Sequence, residues 1–318
     1  MALKQITLAV NDYCNNRCDV MCKIYKNKPV IKTSPSEFEV MLEKPEFKEL
    51  VEVSLTGGEP FMSLERVSEI MNILISELPR LEWVFENTNG TYPERVKDFI
   101  KTFAGRVHKL TISISLEGER DVHNLIRGVK SFDLVMETIK TVANNASKNV
   151  TGSLSTTITK YNASVVQLDF VRNIAKEYGF DNTFRFAGMS DTYYHNTESQ
   201  LGTDTIPKEK VTEILAFVNQ YYKKDQFQQI QSKYVKTGET GLNCTAGSDF
   251  AFVQADGNIY PCIFSTRVIG DKHKGITTHK IDDLGKYEPC PCCTECTIYP
   301  MINYGPKSNK TVVTELGI

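Results

Sequence analysis

Between Cys22 and Cys244 the 318-residue chain has no cysteine at all. It has no apolar run near the eighteen or so residues of a membrane span, which excludes an ordinary transmembrane helix. Its N-terminus, Met-Ala-Leu-Lys-Gln-Ile-Thr-Leu-Ala-Val, lacks the charged-then-apolar layout of a signal peptide, so the expected location is the cytoplasm. A large excess of charge of one sign is also missing. The net charge of -2 gives no electrostatic case for nucleic acid or an anionic membrane. No internal repeat or low-complexity tract is present. What remains is a 41% hydrophobic sequence, enough for a substantial core.

Nine cysteines are many for this length, and they fall in two groups, three at 14–22 and six at 244–296. An odd number in a chain without a secretion signal argues against a disulfide framework. Two separate metal centres are the simpler reading. The first group, Cys14-Asn-Asn-Arg-Cys18-Asp-Val-Met-Cys22, packs three thiols into nine residues. Three thiolates can hold three corners of an iron–sulfur cube and leave one iron open to a small molecule. On this stretch alone zinc fits as well.

Strand-like and helix-like stretches alternate through the first two-thirds. Ile6–Val10, Val51–Leu55, Trp83–Phe85, Leu110–Ile114, Leu154–Ile158 and Phe184–Phe186 read as strands. Helical spacing follows Ser63 and Pro93; Ser131 reads as a cap for a further helix, and 165–178 as one stopped by Gly179. This order predicts an α/β fold with a parallel sheet and outer crossover helices, an open sheet or a partial barrel. Ligands of such folds gather at the carboxyl ends of the strands. The cysteine loop, Thr56-Gly-Gly-Glu-Pro60, Asn89, Ser115 and Gly188 all fall there.

Residues 189–243 read as a polar bridge with one helix from Pro207 to about Lys223, and Lys223-Lys-Asp225 as its solvated end. Phe250–Val253 and Ile259-Tyr260 flank Ala-Asp-Gly-Asn, a hairpin turn. The other cysteines decorate this hairpin and the segment after it.

With the cysteine loop, Gly57-Gly-Glu-Pro60 and the Ser115 strand in place, residues 5–190 resemble the radical S-adenosylmethionine superfamily, a partial (β/α)6 TIM-like barrel. Residues 244–296 resemble its shortened auxiliary-cluster domain, called twitch, a reduced SPASM domain. The implied organisation is a barrel over 1–190, a bridge over 191–243 and an auxiliary domain with a β-hairpin and helix over 244–318. The resemblance implies that Cys14, Cys18 and Cys22 hold a 4Fe–4S cluster whose open iron is chelated by S-adenosylmethionine. Gly57 and Gly58 would let the backbone approach that cofactor, and Glu59 would help fix its amine. Ser115 would bond the ribose and Arg127, twelve residues on, the carboxylate; Asn89 and Gly188 would line the sugar and adenine. The family's loop has two residues between its second and third cysteines, and here Asp19-Val-Met21 makes three, so the loop must bulge or hold the cluster differently. Cys244, Gly257 and Cys262 match the opening of the SPASM pattern. Cys293 and Cys296 would close a second four-thiolate cluster, or Cys290 and Cys293 would.

Blander readings stand beside these. Gly-Gly-Glu-Pro alone is an ordinary turn, Ser115 and Asn89 can cap helices, and four paired cysteines can form a zinc ribbon. His123 reads as a buried barrel residue. Tyr193-Tyr-His195-Asn196 reads equally as facing the substrate space or as a solvated loop.

Three functions follow. In the first, an auxiliary cluster accepts an electron from a substrate radical, a two-electron oxidation of an alcohol or amine on a sugar or aminocyclitol. In the second, Cys290 or Cys292 returns a hydrogen atom, making an epimerase of a sugar or peptide residue. In the third, the chain is a metal-binding or assembly protein without turnover. Thirteen residues ahead of Cys14 leave little space for a leader-binding domain, which favours a small polar substrate or a short peptide. A flavodoxin or ferredoxin is the expected electron donor, with no nucleic-acid or membrane partner.

Overall fold

A computed structural model describes residues 2–198, 203–277 and 295–318, those of 295–297 by their backbone alone. Six strands, β1 (Gln5–Ala9), β2 (Glu52–Thr56), β3 (Trp83–Thr88), β4 (Lys109–Ser115), β5 (Val150–Ile158) and β6 (Asp181–Phe186), lie side by side in chain order, all parallel. Their connections carry α1 (Pro35–Leu42), α2 (Leu64–Glu77), α3 (Pro93–Phe103), α4 (Arg120–Arg127), α5 (Phe132–Asn144) and α6 (Val165–Tyr178). The sheet stays open, as a partial TIM-like barrel requires.

Strand periodicity sorts the side chains. In β2, Val53 and Leu55 join a core with Ile6, Leu8, Ile112 and Ile114, while Ser54 and Thr56 face a cleft. Thr7, Asn87, Ser113, Ser155 and Arg185 face it from the other strands. A closed TIM barrel fills its interior with bulky apolar residues. Here the inner face is polar because it lines a chamber, and Asn87 Nδ2 on β3 donates to Ser54 Oγ on the neighbouring β2 at 2.9 Å.

After β6 come two helices where the sequence predicts one, α7 (Lys208–Tyr221) and α8 (Gln226–Thr237). Asp225 is no solvated helix end. It caps α8, its carboxylate accepting from Gln228 N at 2.9 Å, while Lys223 and Lys224 are exposed. The polarity of α8 is used against the sheet edge. Gln228 and Gln231 donate to Phe184 O, and Gln231 Oε1 accepts from Phe186 N. An otherwise unpaired edge strand is thereby covered.

On the opposite side β7 (Phe250–Val253) pairs parallel to β1, and β8 (Asn258–Tyr260), β9 (Gly270–Asp271) and β10 (Gly275–Ile276) extend the sheet antiparallel. The predicted hairpin turn is present, with Gly257 at φ 86°. The helices α9 (Glu295–Asn303) and α10 (Lys307–Glu315) pack with α8 and β7 around a smaller core containing Phe227, Ile230, Phe250, Cys262 and Ile298. No helix among the described residues is long and apolar enough to cross a membrane.

One expected cap is reassigned. The N–H groups of Ser131 and Phe132, at the start of α5, donate to Asn124 Oδ1 at 2.9 and 3.1 Å, and Ser131 Oγ pairs with His123 Nε2 at 3.1 Å instead. Asn124 lies on α4, a short charged helix that apolar spacing does not reveal.

At the N-terminal end of the strands, Glu52 is buried and accepts from the Tyr304 hydroxyl at 3.3 Å. Burial pushes its pKa up to about 7, against the opposing effects of Tyr304 and Lys109. The folded state therefore holds this proton more tightly than the unfolded chain. The resulting stability is complete below the ordinary carboxylate value and is lost as pH rises from there through about 7. Urea midpoints should fall between about pH 5 and about pH 8, and Glu52→Gln should remove part of that fall. An unchanged slope in the variant would refute the assignment.

Candidate active site at the strand ends

The carboxyl ends of β1–β6 open on one cleft. Its wall holds Cys14, Cys18 and Cys22 from the loop after β1, Gly57, Gly58 and Glu59 from the turn after β2, and Asn89 from the turn after β3. Ser115 ends β4 on the same wall, Arg127 ends α4, and Gly188 follows β6. Cys18 is buried; Cys14 and Cys22 are half-buried.

The three-residue step between Cys18 and Cys22 makes a single helical turn, with Cys18 O accepting from Met21 N at 3.0 Å and from Cys22 N at 2.8 Å. The sulfurs receive donors. Cys14 Sγ accepts from Asn16 N at 3.4 Å and from Asn89 Nδ2 at 3.6 Å, and Arg127 lies 4.0 Å from Cys18 Sγ. The backbone N–H of Ile24 points to Cys22. Burial nevertheless pushes the Cys14 thiol up to about 12 and raises those of Cys18 and Cys22 as well. These sulfurs become thiolates only beside added positive charge, which bound metal supplies.

Glu59 is fully buried, and burial lifts its pKa to about 7. Its Oε1 accepts from Phe61 N at 3.1 Å and Thr88 Oγ1 at 2.8 Å, and its Oε2 from Asn89 N at 2.6 Å. Arg127 is buried against Glu117, which also accepts from Thr157 N at 2.8 Å. Burial pulls the Arg127 pKa down, but Glu117 and the nearby thiols more than reverse this, so the guanidinium stays charged. Behind it His123 is driven down to about 3 by burial and by Arg127, and so is neutral. Its Nδ1 accepts from Glu117 N at 3.2 Å, as a buried barrel residue with satisfied nitrogens.

A family model described as the radical SAM superfamily matches residues 8–169, more than half of the chain. The chain belongs to the radical SAM superfamily. Among solved structures it is similar to native anSMEcpe with bound AdoMet and Cp18Cys peptide, at a TM-score of 0.64 and 16% identity, covering 99% of this chain and 100% of that one. It is also similar to a hexahistidine-tagged form of anSMEcpe with bound AdoMet, at a TM-score of 0.63 and 17% identity, covering 91% and 81%. At these identities the likeness is one of fold. No curated protein matches the chain.

Membership implies radical chemistry on S-adenosylmethionine (AdoMet) at a 4Fe–4S cluster, and the cleft can be tested for fit. Among the described residues no three His, Cys, Asp or Glu side chains are grouped for a single ion; a cube is instead held by thiols spread around it. Arg127 Nε and both amide atoms of Asn16 are buried beside the thiols without partners. Glu59 and Arg127 offer an acceptor and a cation on one wall, the complement of an amine and a carboxylate. The residues fit the group.

The two glycines do a second job beside the one expected. A Cβ on Gly57 would lie 2.6 Å from Asn11 O, and one on Gly58 would lie 1.9 Å from Tyr13 O. They allow close passage of the chain leading to Cys14, rather than of the cofactor alone. Asn89 serves partly as a turn residue, its Oδ1 accepting from Thr91 N at 3.0 Å. In Tyr193-Tyr-His195-Asn196 the two readings divide by residue. Tyr193 and Tyr194 line the cleft, Tyr193 donating to Gly57 O at 2.9 Å, whereas His195 is exposed. Glu117 is absent from the sequence-based set, and Asn196 stands in it only as the end of the Tyr193–Asn196 stretch, because long-range partners alone mark their roles.

Of the second thiol group, Cys244 and Cys262 are described and lie close enough for Cys244 to help raise the Cys262 thiol, which burial takes to about 11. Backbone N–H groups of Ala246 and Phe264 point to these two sulfurs. Cys290, Cys292 and Cys293 lie outside the described residues, as does the side chain of Cys296, whose backbone is in α9.

Proposed function

We propose that the protein dehydrogenates a small polar substrate, such as a sugar or an aminocyclitol, with a second cluster on Cys244, Cys262 and two later cysteines. The observation that carries this reading is the polar inner wall. Ser54, Asn87, Ser113 and Ser155 face the same cleft as the N-terminal thiols, and Ser155 Oγ is buried without a partner. Such a wall suits hydroxyl or amine groups, since an apolar ligand would leave these polar atoms desolvated and unpaired. When bound, the clusters would supply the electron that cleaves the sulfonium to methionine and a 5′-deoxyadenosyl radical, which takes a substrate hydrogen atom, and would receive the electron the substrate radical gives up with a proton. The chain's part is to hold the cofactor amine at Glu59 and its carboxylate at Arg127, and to seat the substrate against the serines.

Anaerobically reconstituted protein should contain about eight iron and eight sulfide per chain, as two cubes require. With reductant it should release 5′-deoxyadenosine. Candidate polyols and aminocyclitols turned over in deuterium oxide should gain a carbonyl without label. Solvent deuterium at one inverted carbon would instead establish an epimerase, for which Cys290 and Cys292 are the candidate donors. Zinc without cleavage would leave a binding or assembly protein.

A further inference from the structure

The segment after β6 ties the two thiol groups together. Asn196 Nδ2 donates to Met21 O at 2.7 Å and to Gly188 O at 3.0 Å, and Asn196 Oδ1 accepts from Ser190 N at 2.8 Å. Ser190 Oγ in turn donates to Ile263 O at 2.5 Å. Asn196 is 0% and Ser190 2% exposed. Met21 O belongs to the peptide bond that carries Cys22 N, and Ile263 follows Cys262 directly. The strap is pinned elsewhere by Lys23 N to Tyr194 O at 2.9 Å and by Thr192 Oγ1 to Ser265 O at 2.7 Å. His195, at φ 51°, occupies the left-handed region that side chains other than glycine seldom adopt. Such a conformation persists where surrounding bonds over-determine it.

We propose that Asn196 is a positioning residue for Cys22, fixing the first cysteine turn against the Cys262 turn through Ser190. This rests on the reading that both groups hold clusters. The extra residue between Cys18 and Cys22 closes a helical turn, and the last carbonyls of such a turn have no partner within it. Met21 is buried, so its carbonyl needs a donor from elsewhere. Asn196 supplies one from 175 positions away. Without that bond the Met21–Cys22 peptide keeps only its N–H side anchored, on Cys18 O at 2.8 Å, and the Cys22 sulfur can shift as the plane tilts about that bond.

The test compares the parent protein with Asn196→Ala, Asn196→Asp and Ser190→Ala, each reconstituted anaerobically and reduced with dithionite. At about pH 8 Asn196→Asp keeps the acceptor for Ser190 N and, ionised, lacks the donor for Met21 O. Electron paramagnetic resonance with and without AdoMet reads the cluster at the first group, and 5′-deoxyadenosine release reads cleavage. Both Asn196 variants should lose or broaden the AdoMet-induced spectral change and cleave about ten- to a hundredfold more slowly, the usual scale for residues that orient a metal ligand. Ser190→Ala, which spares the Met21 bond and cuts the link to Ile263 O, should lose clearly less of the spectral change than either Asn196 variant. Parent-like spectra in both Asn196 variants overturn the proposal, and so does an equal loss in all three variants, which would report general loosening of the strap. A parent without a cube-type spectrum overturns the functional reading and this one together, and is recognised by the blank parent.

Discussion

Gly58→Ala is expected to cost about 3 kcal/mol or more of stability and to empty the N-terminal cluster site, because the new methyl has nowhere to go. It would stand 1.9 Å from Tyr13 O, 2.2 Å from Tyr13 C and 2.8 Å from Tyr13 N. These are backbone atoms, so a rotamer change cannot relieve the clash. The two strand-end loops are also laced together at this point. Gly58 N donates to Asn11 Oδ1 at 3.0 Å, Glu59 N to Tyr13 O at 3.0 Å, and Asn11 Nδ2 to Glu59 O at 2.8 Å. Pushing Tyr13 aside moves Cys14, its neighbour, and breaks the bonds that place Glu59. Gly179→Ala is the control. Gly179 sits at φ 69° with open space around its missing side chain, so alanine there should cost only the left-handed backbone, about 1–2 kcal/mol. Urea midpoints and iron content of the reconstituted proteins give both readings. A Gly58→Ala protein no less stable than Gly179→Ala, and still carrying the first cluster, would show that the close approach does not matter.

That glycine shows where the sequence was informative and where it was not. Its place beside the cysteine loop followed from the spacing of the strands, but its partner, Tyr13, could be found only in three dimensions. The strand ends were legible because apolar runs stop at Gly57, Asn89 and Ser115, and a parallel sheet brings such ends together. The helix α8 was hidden for a physical reason. Its sequence, Gln-Phe-Gln-Gln-Ile-Gln, reads as a polar connector until Gln228 and Gln231 are seen bonded to the edge of β6. Asn124, Glu117 and Asn196 share that difficulty. Each does its work on a backbone or charge brought near by tertiary packing, and no periodicity marks such a residue.

Removing either member of the buried Arg127–Glu117 pair should cost about 3–5 kcal/mol, whereas replacing both together should cost less than either alone. Glu117→Leu strands a guanidinium that is 8% exposed, and Arg127→Met strands a carboxylate that is 0% exposed. The paired change leaves no orphan charge. It does not return to the parent's stability, because Thr157 N loses the Glu117 Oε2 acceptor it holds at 2.8 Å, a loss of about 1–3 kcal/mol. Chemical denaturation of the four proteins closes the cycle, and strictly additive costs would mean that the two side chains are not coupled. The same set separates folding from function. If Arg127 also receives the AdoMet carboxylate, the doubly substituted protein should be folded and cluster-loaded yet bind AdoMet weakly. Glu117→Leu, which keeps the guanidinium, should bind AdoMet better than the double variant although it is the less stable of the two. Equal AdoMet affinity in those two proteins would reduce Arg127 to a structural partner of Glu117 and leave the carboxylate to be held by another group in the cleft.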